Sequence, residues 1–226
     1  MPRKLFTALL ATCLPVVTQA GIVVSTYSMQ DGADLHGAYY DNLYSGARSA
    51  SGVLSGGTGD LTDGVTTASV AAGYGAWAPY VLWDGLSPVI TFDLGATYTL
   101  STVTAHFKYY GSAAVYMPGS IDLRFSDDGA SFGALQSRAL SAAERLPGGD
   151  NSDGVFELLT APGSGRFVQV TLNNGPENRW LALAEVSFDG TPGSTSASVP
   201  EPGGLGLALT ALGALFGVGR VRRLRR

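Results

Sequence analysis

Pro118-Gly119-Ser120-Ile121-Asp122-Leu123-Arg124-Phe125-Ser126-Asp127-Asp128-Gly129 is the stretch on which the reading of the fold turns. Ile121, Leu123 and Phe125 fall on one side and Asp122 and Arg124 on the other, the period of two that a half-buried strand requires. Asp127-Asp128-Gly129 then supplies the positive-φ position that a tight hairpin wants. The same alternation repeats outward in both directions. Residues 89–94 and 100–107 precede it, and 155–159, 166–172 and 181–188 follow. Each run is rich in Val, Ile, Thr, Phe or Tyr and is bounded by Gly, Asp, Ser or Pro. No window sustains a helical period. Regular strands with such turns predict an all-β chain, a β-sandwich spanning residues 21–190. Residues 21–59 are Gly- and Ser-rich and carry the weakest pattern, while 191–198 read as a flexible linker by composition.

Outside that domain the composition changes. Arg3 and Lys4, the apolar run 5–17 and Thr18-Gln19-Ala20 have the three parts of a signal peptide cleaved after Ala20. The single cysteine, Cys13, lies inside it. Leu10-Ala11-Thr12-Cys13 only faintly resembles a lipoprotein box, since Thr12 stands where a smaller residue is expected. The mature chain would then hold no disulfide, although it would enter a compartment that permits them. Between residues 21 and 199 there are 17 Asp and Glu against 7 Lys and Arg, a net charge of −10. An acidic surface of that kind argues against nucleic acid and suits divalent cations and neutral glycans.

At the other end, Val199-Pro200-Glu201-Pro202 is followed by an apolar run without a charge, 203–218, and then by Arg220, Arg222, Arg223, Arg225 and Arg226. Sixteen residues make a helix of about 24 Å at 1.5 Å per residue, a little short of a hydrocarbon core of roughly 30 Å. Arginine stems cover the difference by reaching to the interface, and their charge places the preceding chain outside the cytoplasm. The three parts in this order resemble the PEP-CTERM sorting signal. That resemblance implies recognition and cleavage by an exosortase, transient or lasting membrane anchorage by a C-terminal transmembrane helix, and a cell-surface or extracellular destination among exopolysaccharides.

A second resemblance covers the domain. Leu61-Thr62-Asp63-Gly64, Trp83, Pro88 to Gly95, the opening stretch, Arg166 to Val170 and Trp180 to Phe188 follow one another as they do in discoidin, or coagulation-factor C-type, domains. These are eight-stranded jelly-roll sandwiches of the galactose-binding-like superfamily. In many relatives an Asp of the Asp-Gly loop and a Glu near the last strand hold a structural calcium ion. Asp63 and Glu185 stand at those positions, with Asp60, Thr66 and Ala184 spaced to add backbone carbonyls. Calcium takes six to eight oxygens of such mixed origin. The residues leave the plainer reading open, in which Asp63 opens a turn and Glu185 is a solvated strand residue.

Aromatics crowd two loops: Tyr74, Trp77, Tyr80 and Trp83 in one, Tyr109, Tyr110 and Tyr116 in the other. Sugar rings pack C–H faces on aromatic planes while polar neighbours fix the hydroxyls. Trp77, Tyr109, Tyr110, Tyr116 and Arg179 are the expected glycan contacts, with His106 and Lys108 nearby, whereas Trp83 and Trp180 are expected in the core. Catalysis is not expected. Two histidines and no mature cysteine leave no usual zinc set or Cys–His pair, no nucleophile elbow is present, and Asp127-Asp128 is a turn. The functional expectation is an exported glycan-binding module, the alternative being a self-associating matrix protein without a small ligand.

Overall fold

The computed structural model describes residues 21–32, 39–68, 70, 77–177 and 179–193. The expected signal peptide, and the expected sorting motif Val199, Pro200, Glu201 and Pro202 with its apolar run, lie outside the described residues. Among the described residues no helix is long and apolar enough to cross a membrane.

Eleven strands, one four-residue α-helix and two three-residue 3-10 helices (Asp60–Thr62 and Gly111–Ala113) are described. The strands are β1 (Thr26–Gln30), β2 (Ala47–Arg48), β3 (Val53–Gly57), β4 (Val81–Asp84), β5 (Val89–Tyr109), β6 (Val115–Tyr116), β7 (Ser120–Ser126) and β8 (Gln136–Ala139). After α1 (Ala142–Arg145) come β9 (Ser152–Glu157), β10 (Gly163–Asn173) and β11 (Trp180–Pro192). One ladder runs β2-β3-β1-β5-β10-β7-β8, and β5 also pairs with β9 and β11, which in turn carries β4 and β6. All pairs are antiparallel except β6 with β11. The 21-residue β5 therefore belongs to both layers of a sandwich. Its first part faces β1 and β10, as in Phe92 opposite Tyr27 and Val168. Its second part faces β11 and β9, as in Ala105 opposite Val186 and Phe156.

The core forms where inward residues of the two layers meet. Ile90, Phe92, Ile121, Leu123, Val168 and Val170 from one pack with Val103, Phe107, Leu181, Leu183, Val186 and Phe188 from the other. The Phe92 and Phe188 rings lie 5.1 Å apart, edge to face, a favoured aromatic geometry. Trp83 is wholly buried and donates its indole N–H to the Gln30 carbonyl at 2.9 Å. Trp180 is buried as well, so both tryptophans expected inside are inside.

Several expected boundaries move. The runs 89–94 and 100–107 are one strand, and the run at 155–159 is strand only to Glu157. Gly129 does take positive φ, at 73°, but nine residues separate β7 from β8. That loop is wound around the Asp128 carboxylate, which accepts the N–H groups of Ala130 and Ser131 at 2.8 Å each. Thr191 and Pro192, expected in the linker, pair with Thr99 and Tyr98, because β11 runs on along β5. Among its described residues the weakly patterned segment at 21–59 contains three strands. Buried carboxylates hold it: Asp31 accepts the Asp41 N–H at 2.9 Å, and Asp41 accepts the Asp60 N–H at 2.9 Å and the Tyr27 hydroxyl.

Candidate functional site

Glu185 is placed by an irregularity in β11. Leu183 pairs with Phe107 and Glu185 with His106, so Ala184 is the extra residue of a bulge, which re-aims the side chain that follows. Glu185 is only 6% exposed, and its Oε2 accepts the Gly64 N–H at 3.1 Å. The solvated-strand reading of Glu185 is thereby overturned. Burial, and then the neighbouring Asp63, push its carboxyl up to about 7, although the Gly64 N–H works the other way. Asp63, Gly64 and Glu185 line one cavity of about 330 Å³ together with the start of the domain at residues 21–24.

Of the residues expected to complete a calcium shell, Asp60, Thr66 and Ala184 do not line that cavity. Asp60 is buried with its Oδ2 on the Asn42 N–H at 2.9 Å. Burial, then Asp41, raise its carboxyl to about 7. Ala184 is packed among apolar side chains. Among the described residues no three acidic, His or Cys side chains converge on one point. The arrangement is a pair of carboxylates at a cavity mouth, one nearly buried and without a cationic partner among the described ion pairs. A hard divalent ion fits such a pair if backbone carbonyls and water supply the remaining oxygens.

The aromatic residues divide. Trp77 is 3% exposed and corrects the expectation of an open stacking face. Its ring centroid lies 6.4 Å from Tyr39, 6.5 Å from Tyr80 and 5.9 Å from Tyr110. The cause lies in β11, where Trp180, Ala182 and Ala184 face away from the main core and need a cover, and Trp77 is part of it. Tyr110 packs on the edge of this second cluster. Tyr74 and His36 lie outside the described residues. Lys108 is buried too: its Nζ contacts the Asp153 Oδ1 at 2.8 Å and the Asn151 carbonyl at 3.2 Å, beneath the Tyr80 ring. It is not a surface contact. His106 is half-buried, and burial lowers its pKa.

Tyr109, Tyr110 and Tyr116 are all half-buried, Tyr109 packing against the main core as Tyr110 does against the second cluster; the Tyr109 and Tyr116 rings have centroids 6.0 Å apart at 62°. Val115, beside Tyr116, pairs with Trp180, and the Trp180 N–H reaches the Ala114 carbonyl at 3.2 Å. That pairing brings exposed Arg179 to the same loop. Partial burial, followed by Tyr116, Asp150 and Glu177, raises the Tyr109 phenol. Glu177 is itself fixed, with both carboxylate oxygens 2.7 Å from Arg145 Nη1. Glu177, Arg145 and Asp150 escaped the sequence reading. The one available signal was the polar Asn173-Asn174-Gly175-Pro176-Glu177 turn directly before Trp180.

No protein-family model matches the chain, and no curated protein matches it. Among solved structures it is similar to chitosan-binding module 1 of a chitosanase/glucanase from Paenibacillus sp. IK-5, at 11% identity and TM-score 0.44 over 76% of this chain and 99% of that one. It is similar to the C-terminal domain of a chitobiase from Bacteroides fragilis at 13% identity and TM-score 0.47, over 77% and 99%. A family 32 CBM from C. perfringens in complex with galactose gives 11% identity and TM-score 0.42, over 76% and 99%.

Proposed function

We propose that this chain is an exported, non-catalytic binding module that recognises carbohydrate at the edge formed by Tyr109 and Tyr116. The observation that carries the reading is that pair itself. Two half-buried rings stand edge to face, exposed Arg179 precedes the Trp180 that pairs with Val115 beside them, and Glu177 is held by Arg145. Aromatic planes take the C–H faces of a sugar, and fixed polar groups select its hydroxyls. Because these groups are already held in the folded state, binding loses little further freedom in ordering them. A calcium ion between Asp63 and Glu185 is part of the proposal, as a brace joining the start of the domain to its last strand. When bound it would neutralise the two carboxylates. Export and sorting by an exosortase, with the membrane as a transient or lasting anchor, rest on the terminal sequence motifs.

A glycan array probed with the purified chain, with and without calcium, tests the reading. Binding to at least one polysaccharide is expected, weakened about tenfold or more in Tyr109→Ala and Tyr116→Ala, a loss of about 1.4 kcal/mol. Silence across neutral and acidic polysaccharides, or tyrosine variants that bind as well as the parent, would overturn it. Full-length chain recovered from cytosol with Met1 intact would overturn the export.

A further inference from the structure

No motif pointed to residues 40–52, yet a groove of about 480 Å³ opens there beside the turn that carries Leu86. Its floor is the Asp31 carboxylate, 2% exposed. Arg48 lies over it with Nε 2.7 Å from Asp31 Oδ2, and its Nη2 donates to the Asp41 carbonyl at 2.8 Å. The guanidinium carbon sits 5.1 Å from the Tyr40 ring centroid. The fork is thus tied on its inner edge, while the side chain as a whole remains 42% exposed. Ser49 and Ser51 also line the groove with their hydroxyls 3.0 Å apart, Ser49 Oγ accepting the Val53 N–H at 2.9 Å, and exposed Leu86 forms an apolar rim.

We propose that this groove is a second saccharide site, for a neutral hexose presenting vicinal hydroxyls, and that it acts separately from the tyrosine edge. It rests on the reading that the chain binds carbohydrate. The two serine hydroxyls, 3.0 Å apart, have the spacing of adjacent sugar hydroxyls, and the tied guanidinium adds fixed donors to the same groove. Leu86, 49% exposed, supplies the apolar surface that a ring's C–H face needs. Charge decides against an acidic sugar. Asp31 cancels Arg48 at contact distance, and the surrounding domain carries ten more acidic than basic residues, so a uronate would meet no net attraction. The groove and the tyrosine edge lie at one end of the sandwich, because Asn174 Nδ2 donates both to the Leu86 carbonyl at 3.4 Å and to the Arg179 carbonyl at 2.8 Å. One polysaccharide strand touching both sites gains from the raised effective concentration at the second.

Amide NMR of the purified chain titrated with galactose, glucose, mannose and glucuronate tests this. Saturable shifts at residues 48–52 and 86 with a neutral hexose are expected. They should weaken at least tenfold in Arg48→Lys, which keeps a cation for Asp31 but loses the fork, and in Ser51→Ala. Tyr109→Ala should leave them unchanged, and unperturbed amides elsewhere verify the fold of each variant. Shifts confined to the loop around Tyr109 and Tyr116 overturn the groove and leave the tyrosine edge standing. Shifts nowhere overturn both. Groove shifts with glucuronate but with none of the hexoses overturn the ligand class.

Discussion

Glu185 brings a carboxylate to a place water scarcely reaches, and that has a measurable sign. Its carboxyl and that of Asp60 are both raised to about 7 in the fold. As pH climbs from about 4.5 through 7, the unfolded chain releases protons that the folded chain retains, so stability falls over that window. The opposite group is Asp93, Asp128, Glu144, Asp150 and Asp153, all held below their ordinary values. Their contribution is present above about pH 4 and is lost below it. Scanning calorimetry in EDTA should therefore find the highest Tm near pH 4–5 and a decline toward pH 7.5. Glu185→Gln should remove part of that decline, raising the metal-free Tm at pH 7.5 by about 2–4 °C for each kcal/mol recovered. A lower Tm for this variant in EDTA at pH 7.5 contradicts the account. With calcium present the order reverses, since the amide is a poorer ligand than the carboxylate.

Among the elements, the strands that could be read in advance are those with one wet face and one dry one. β7 is the clearest, with Ile121 and Leu123 buried and Arg124 exposed. β11 was read as a strand, but the consequence of its two apolar faces was not. Trp180, Ala182 and Ala184 demand a cover, and that demand is what draws Trp77 inward and away from the proposed tyrosine edge. β1 and β3 were hidden for another reason. Their pairing is set by carboxylates that bond backbone N–H groups and by a close backbone approach, neither of which has a period. A Cβ on Gly57 would stand 2.1 Å from the Gly46 nitrogen, so β3 can lie against that segment only with glycine there. Gly57→Ala should cost about 1–3 kcal/mol or more by overpacking, read from urea denaturation. The Asp63–Glu185 pair was legible because both lie in ordered motifs. The Arg145–Glu177 and Lys108–Asp153 pairs join residues 32 and 45 positions apart, across loops whose path no local pattern records.

For the whole molecule, an acidic domain that holds no cysteine, since the single Cys13 precedes it, must be held by packing and by whatever neutralises its carboxylates. Calcium should raise the Tm of the chain at pH 7.5 and EDTA should reverse the gain, with Asp63→Ala abolishing the response. An unchanged Tm in all three conditions would remove the ion from the account. The strand shared by both layers also decides how the fold carries tension. β11 ends at Pro192 opposite Tyr98, while β5 ends at Tyr109 near the other end of the same antiparallel ladder. A glycan gripping Tyr109 and a tug on the backbone beyond Gly193 would therefore pull the two strands past each other lengthwise. Under that load the bonds of the ladder resist together, instead of opening one after another like a zip.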